Sequence, residues 1–322
     1  MNPPRRIALA CLLAAPLVVW GQTGPWPSGP ITVISPVQAG SAGDTTLRVV
    51  MQKMSENMNH SFAVENVVGA AGMIGLDRLS RSRPDGTTIG GISDSTLTYV
   101  PIIQKRANFN PLDTLDPVGV IAPSTWVLVA HPSVGVKTVD ELVAKAKARP
   151  GQLNYASSGM GSSHHVVMEM FKAATGTRLL HIPYRGAAAA LADVQGGQVQ
   201  VMFSALSVAL GAIETGKVVP LAVASTTRTP LLPQLPTVAE AVPGFSFGTW
   251  SGMLVPKGTP PAIVERLNQE LNKAIQDPQV AATLAKLGVT PKAGTPKDLG
   301  DLIQSTRTKM KKVIQTANIQ AE

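Results

Sequence analysis

The chain has several stretches whose residue types and spacing could do chemistry, and the first is Ser157-Ser158-Gly159-Met160-Gly161-Ser162-Ser163. A short β-type run, residues 153–156, precedes it. An apolar helical run to about residue 174 follows, with Ser162 or Ser163 placed to cap that helix. A loop of small residues that opens a helix leaves several backbone N–H groups unpaired. Together with the positive end of the helix dipole they favour an anion. Glycine lets a ligand approach the main chain closely. The chemistry on offer is capture of a carboxylate. Ser35-Pro36-Val37-Gln38-Ala39-Gly40-Ser41-Ala42-Gly43-Asp44 has the same form, between a β-type run at residues 31–34 and a helical pattern over residues 45–58. Either loop alone also reads as an ordinary βα turn. Two of them facing each other across a cleft could hold an anion at the carboxyl ends of strands, where ligands gather in α/β folds.

Catalytic and metal readings fare less well. Gly244-Phe245-Ser246-Phe247-Gly248 matches G-x-S-x-G. A nucleophile elbow needs a strand before the serine and a helix after it. Here Val242-Pro243 precedes and an extended run follows, so a secreted serine hydrolase using Ser246 is the weaker alternative. His164 and His165 are adjacent, and side chains at i and i+1 of a helix diverge, so both cannot enter one site. No complete set of metal ligands stands beside them, and no metal is expected. His165 faces a cleft from the first helical turn or is simply packed. Gly69, Gly72 and Gly75 superficially match a phosphate-binding fingerprint, but the G-x-G turn is missing. Close backbone packing is the plainer role, and no cofactor is expected. Ser93 opens a polar exit, Ser93-Asp94-Ser95-Thr96, after a strand at residues 87–92, and this exit can line a cleft. Tyr184 follows a strand at residues 181–183 and is read as cleft wall rather than core.

The elements that must position these residues alternate throughout. A strand at residues 62–68 leads to a helix from Gly69 to about Ser82. Apolar runs at residues 117–122 and 126–131 look like a first crossing between domains. Thr138 caps a helix over residues 139–148, with Asp140 and Glu141 in its first turn. An Ala-rich helix ends near Val194. A strand at 199–204, a helix at 205–215 and a strand at 218–224 come next. Residues 226–236 are irregular and Pro-rich, and residues 247–255 read as an extended return crossing. Helices begin at Pro260-Pro261, Pro278 and Pro296 and end near residues 277, 287 and 317. Strands alternating with helices predict an α/β protein with two βα domains.

At 322 residues the chain is long enough for two domains, and 44% hydrophobic with 15% charged residues suits a globular protein. The formal net charge is +8, yet the 28 Lys and Arg are scattered and no basic run interleaves with aromatics, so nucleic acid is not an expected partner. Arg5 and Arg6, the apolar run at residues 7–20 and small residues at Val19 and Gly21 form a secretory signal pattern with a cut near Gly21. The sole cysteine, Cys11, falls inside it, so the mature chain has no thiol chemistry.

On these residues the chain resembles the extracytoplasmic solute receptors of the Bug type (Bordetella uptake gene), the TctC binding components of tripartite tricarboxylate transporters. The resemblance runs over residues 26–321. It is carried by the loop and helix at 36–48, Val64-Glu65-Asn66 with the 69–75 run, Pro84-Asp85-Gly86, residues 153–165, and Ile182-Pro183-Tyr184-Arg185-Gly186. Gly196-Gly197-Gln198-Val199, Leu235-Pro236-Thr237-Val238-Ala239-Glu240 and Gly258-Thr259-Pro260-Pro261 add to it. It implies a two-lobed type II periplasmic binding protein fold, each lobe a βα sheet domain, joined by a two-strand hinge. The implied layout is a signal peptide at 1–21, a first lobe at 22–123, a second at 124–225, and a return segment completing the first lobe at 226–322. It also implies a monomeric periplasmic receptor that docks on separate membrane permease subunits; a ligand sensor of the same fold serving a signalling partner is the alternative. One ligand carboxylate would sit between Ala39, Gly40, Ser41, Ala42 and Asp44 on one side and Ser158, Gly159, Met160, Gly161, Ser162 and Ser163 on the other. Ser93, His165, Tyr184, Ser204 and Thr249, with Trp250, would stand nearby.

Several positions depart from the family pattern. Val37 replaces a Phe, and Ser41 and Ala42 stand among the usual glycines. Met160 stands where Asn is frequent, and His164 where Ser is common. Ser204 and Gln200 stand where many members carry Asp. A cleft without that acid suits a dicarboxylate or an aromatic acid better than an α-amino acid.

Overall fold

The computed structural model describes residues 26–104 and 109–316, with Ile319. The expected export segment at 1–21 and Cys11 lie outside the described residues. The chain alternates from the start. β1 (Ile31–Ser35) leads into α1 (Ala42–Met58), β2 (Phe62–Asn66) into α2 (Met73–Ser80), and β3 (Thr88–Ser93) into the short α3 (Asp94–Thr98) and α4 (Val100–Ile103). β4 (Leu115–Ser124) then runs into β5 (Trp126–Ala130) with only Thr125 between them. There follow α5 (Val139–Ala148), β6 (Asn154–Ser157), α6 (Ser163–Thr175), β7 (Leu180–Pro183), α7 (Ala187–Gln195), β8 (Val201–Ala205), α8 (Leu206–Glu214) and β9 (Val219–Val223). After α9 (Val238–Ala241) the chain returns along β10 (Thr249–Pro256) and ends in α10 (Pro261–Gln276), α11 (Pro278–Lys286) and α12 (Pro296–Thr316).

Two mixed five-stranded sheets result, in the orders β2-β1-β3-β10-β4 and β7-β6-β8-β5-β9. β1 is the central parallel strand of one, and β6 lies parallel to both its neighbours in the other. β4 passes the chain from the first sheet to the second, and β10 brings it back antiparallel to β3 and β4. These are the two lobes and the two connecting strands of a type II periplasmic binding fold. β1 and β5 bury nearly every residue, as strands covered on both faces must. α1 buries Leu47, Val50, Met51 and Met54 against α10, the helical stripe its spacing predicts.

The core is not divided cleanly between the lobes. One cluster joins Ile34, Leu76 and Tyr99 of the first sheet's side to Trp126, Phe171, Phe203 and Phe245 of the second, with Leu299, Ile303 and Met310 of α12 among them. α12 packs along β4 and reaches α6. The lobes are therefore in contact.

Three elements differ from expectation. α1 starts at Ala42 rather than Thr45, because Ser41 rather than a later residue takes the cap. The 69–75 run does not open a helix directly: Ala70–Gly72 forms a 3-10 turn, with Ala70 and Ala71 in left-handed conformation, before α2 begins. The polar exit after β3 is not a loop, since α3 begins at Asp94.

Candidate ligand-binding site

The first small-residue loop is shaped by one buried carboxylate. Asp44 Oδ2 accepts from the Gly40 N–H and from Arg48 Nε, both at 2.9 Å, and its Oδ1 accepts from Asn66 Nδ2 at 2.8 Å. Asn66 Nδ2 also donates to the Val37 carbonyl, and Arg48 holds Asn66 Oδ1. Burial works to raise the Asp44 pKa, but the bonds from Arg48, Asn66 and Gly40 outweigh it and hold the carboxyl below its usual range. Asp44 thus fixes the loop from inside. Gly40, with φ of 76°, makes the turn. Ser41 caps α1 with φ −68° and ψ 161°, its Oγ accepting from the Asp44 N–H. Ala42 and Gly43, the first two helical residues, have no intrahelical acceptor for their N–H groups.

The second loop repeats this geometry. Ser162 caps α6 with φ −68° and ψ 162°, and its Oγ accepts from the His165 N–H. Gly159 and Gly161 both have positive φ, 118° and 70°. The loop is tied down from beneath: Gly159 N–H donates to Ser157 Oγ, which lies 2.6 Å from His181 Nε2, and Gly161 N–H donates to His165 Nδ1. His165, His181 and Tyr155 form one cluster of near-parallel rings, with His181 4.5 Å from His165 and 4.8 Å from Tyr155 between ring centres. Tyr155 donates to Glu169, which also pairs with Lys172. His165 therefore sits in a packed cluster that orders the loop. Met160 is exposed at the loop tip. Ser163 and His164 are the first two helical residues, again without intrahelical acceptors.

His164 points elsewhere than His165. Its ring meets Trp126 edge-on at 4.7 Å, and its Nδ1 lies 2.8 Å from Ser158 Oγ. Trp126 in turn donates from Nε1 to Thr249 Oγ1 at 2.8 Å, linking the first residues of β5 and β10. Among the described residues His164 Nε2 is buried with no hydrogen-bond partner. Such an orphan costs about 1–3 kcal/mol. Burial alone pulls the His164 pKa down to about 4.

The lobes meet at this same end of both sheets. Tyr99 Oη lies 2.6 Å from Ser163 Oγ. A Cβ on Gly186 would lie 3.3 Å from Gln38 Oε1, and one on Gly161 would lie 3.6 Å from an Ile103 methyl. Ser93 Oγ is 3.0 Å from both Ser95 Oγ and Thr96 Oγ1, and Thr96 also donates to the Ala71 carbonyl. Asp94 is fully buried, and burial pushes its carboxyl up to about 8 although it accepts from the Ser95 and Trp250 N–H groups. Tyr184 is half-buried and donates to Asp193 Oδ2, and its N–H donates to the Ser157 carbonyl. Ser204 is buried in β8 opposite Val127, its Oγ turned to the Ala205 carbonyl.

The structure so brings Ser93 and the two loops to the ends of the strands, and Thr249 to the connecting strands. Residue type alone does not single out Tyr99 or Trp126: a lone aromatic in a strand or beside a short helix reads as core, and both are indeed buried. For His164 the pattern shows only that its side chain diverges from that of His165. Ser246 has no elbow: it lies between buried Phe245 and Phe247, its Oγ accepts from Lys309 Nζ, and a strand follows it. Among the described residues no three His, Cys, Asp or Glu stand close enough to hold a metal ion.

The sequence pattern described as "Tripartite tricarboxylate transporter family receptor" (TctC) matches residues 46–319. Protein BugT of Bordetella pertussis is 33% identical over 273 residues, 84% of this chain and 84% of that one. The solved structure of R. palustris Rpa4515 with adipate superposes with a TM-score of 0.86 at 30% identity, over 92% of this chain and 99% of that chain. MatC of Rhodopseudomonas palustris with bound malate gives 0.81 at 27% identity, over 90% and 100%.

Proposed function

The chain belongs to the tripartite tricarboxylate transporter receptor family, and from that premise we propose that it captures a small carboxylate between its lobes and hands it to separate membrane permease subunits. The family is one of binding receptors, and the chain is not an enzyme. The observation that carries the ligand class is the matched pair of helix starts. Ser41 and Ser162 cap α1 and α6 with the same backbone angles, each after a parallel strand. The N–H groups of Ala42, Gly43, Ser163 and His164 supply four donors, and an ionised carboxylate has about four lone-pair sites to receive them. Ala39, Gly40, Ser158, Gly159, Met160 and Gly161 form the walls of this clamp, and Ser93, Tyr184 and Thr249 line the cleft beyond it, with Ser204 buried behind them in β8.

An α-amino acid fits poorly. Ser204 carries no charge, and Asp94, pushed up to about 8, is protonated at neutral pH and offers an ammonium no counter-ion. The adipate and malate held by the two relatives are of the proposed class. The signal pattern at residues 1–21 supports export to the periplasm, where the mature chain acts as a monomer. The lobes, 22–123 with 226–322 and 124–225, open and close about the β4–β5 and β10 crossings.

Thermal unfolding of the ligand-stripped mature protein tests this against mono-, di- and tricarboxylates, aromatic acids and amino acids. A ligand at one hundred times its dissociation constant adds about 2.7 kcal/mol to the folded state. A clear rise with one acid is expected. No rise with any acid, or an amino acid recovered from the purified cleft, contradicts the proposal.

A further inference from the structure

We propose that the His164 side chain sets the selectivity of the cleft: its Nε2 takes a second carboxylate of the ligand, so the protein prefers a dicarboxylate to the monocarboxylate of the same length. This rests on the carboxylate-receptor reading and deepens it. His164 is 9% exposed, yet its Nε2 is one of few buried side-chain atoms with no hydrogen-bond partner among the described residues. Buried polar groups in folded proteins are nearly always paired, so an exception calls for a partner that arrives later.

The ring is held firmly where it is. Ser158 Oγ fixes Nδ1 at 2.8 Å, Trp126 packs edge-on at 4.7 Å, and Trp126 is itself tied to Thr249. These neighbours lie at the ends of β6, β5 and β10, where the two lobes face each other. The imidazole cannot turn Nε2 towards another protein group without giving up the Ser158 bond.

The count of donors says which ligand group it meets. The N–H groups at the starts of α1 and α6 already match the lone pairs of one carboxylate. The His164 side chain is a fifth donor beside them, so it serves a second oxygen function. The Ser158–Nδ1 contact allows either direction; in the tautomer that an anionic ligand selects, Ser158 donates to Nδ1 and the neutral ring donates from Nε2 to the anionic oxygen. Ser158, Trp126 and Thr249 bring no charge to the ring, so a second carboxylate meets no repulsion from them.

Matched acids test the idea: succinate against butyrate, adipate against hexanoate, phthalate against benzoate. Dissociation constants are measured by calorimetry for the wild type, His164→Asn and His164→Gln, with melting temperatures to show that each is folded. Asn keeps a group near Nδ1 for Ser158 but loses the outer donor; Gln keeps a donor near the Nε2 position. The wild type is expected to favour at least one dicarboxylate over its partner by tenfold or more. His164→Asn should cut that ratio about tenfold, and His164→Gln should retain most of it. An unchanged ratio in His164→Asn, or a wild type that does not discriminate, overturns the proposal while leaving the receptor reading intact. Binding of none of the six acids by the folded wild type overturns this proposal, and the receptor reading falls with it when the wider panel of acids also gives no rise in melting temperature.

Discussion

Burial holds the His164 and His181 rings neutral, each pulled down to about 4, and holds Asp94 protonated, pushed up to about 8. These shifts act in opposite directions. Between about pH 4 and 6.5 the unfolded chain binds a proton on each histidine that the folded chain refuses, so each makes stability rise with pH. Over the same range folded Asp94 keeps a proton that the unfolded chain has lost, so it makes stability fall. Burial pulls His165 down as well, so the histidines outnumber Asp94 and leave a net rise. Above about 6.5 the histidines are neutral in both states, and Asp94 alone lowers stability until about pH 8. The expected urea midpoint therefore peaks near pH 6.5, with limbs of about 1.4 kcal/mol per pH unit for each uncompensated proton. Asp94→Asn should flatten the alkaline limb; an unchanged limb in that variant contradicts the assignment. The salt-bridged carboxylates Asp44 and Glu240, held below their usual range, act at still lower pH. At this scale the sequence was only partly legible. The hydroxyls and glycines of the two loops announce themselves by type. His164 does not, because its role depends on Trp126, 38 residues earlier, and on a ring orientation that adjacent histidines alone do not reveal.

At the scale of elements, the loops stand because neighbouring elements brace them. Gly75 lies on the buried face of α2, where a Cβ would come 2.8 Å from the Val67 carbonyl and 2.9 Å from Pro36 Cβ. In an exposed helix Gly→Ala gains about 1 kcal/mol. Here backbone and a proline ring block the methyl, and overpacking costs about 1–3 kcal/mol. Gly75→Ala should therefore lower the melting temperature, and because Pro36 begins the first loop it should weaken ligand binding too. A stabilised variant would show that the packing is looser than described. Thr138→Ala supplies the contrast: it breaks the capping box of α5 with Glu141, costs about 1 kcal/mol, and leaves affinity unchanged. That cap could be read directly from residue type, and the α6 cap could be narrowed to Ser162 or Ser163, of which Ser162 holds it. The start of α1 could not. Ala42-Gly43 looks like loop, and only the Ser41 cap, with the Thr45 N–H bonded to the Ser41 carbonyl, shows that the helix has already begun.

For the whole molecule, alternation of strand and helix was enough for an α/β reading, and the resemblance supplied the two lobes. Which strands cross between them is a matter of sheet pairing: β10 lies between β3 and β4, more than a hundred residues away in the chain, and local patterns carry no such information. The lobes touch through Tyr99 and Ser163. Removing that contact with Tyr99→Phe should loosen the closed form, costing about 1 kcal/mol, and small-angle scattering should then show a larger radius of gyration without ligand than for the wild type. Equal radii would mean that the contact does not hold the lobes together. The central claim is that main-chain N–H groups at the starts of α1 and α6 hold the ligand carboxylate. Ala42→Pro tests it most directly. Proline is well tolerated at the first helical residue, and Ser41, at φ −68° and ψ 161°, already has the backbone that a following proline requires. The substitution deletes one N–H and leaves the fold alone. Calorimetric titration with the acid that raises the wild-type melting temperature should show binding weakened about tenfold or more, with the unliganded melting temperature nearly unchanged. Wild-type affinity in that variant would contradict the account.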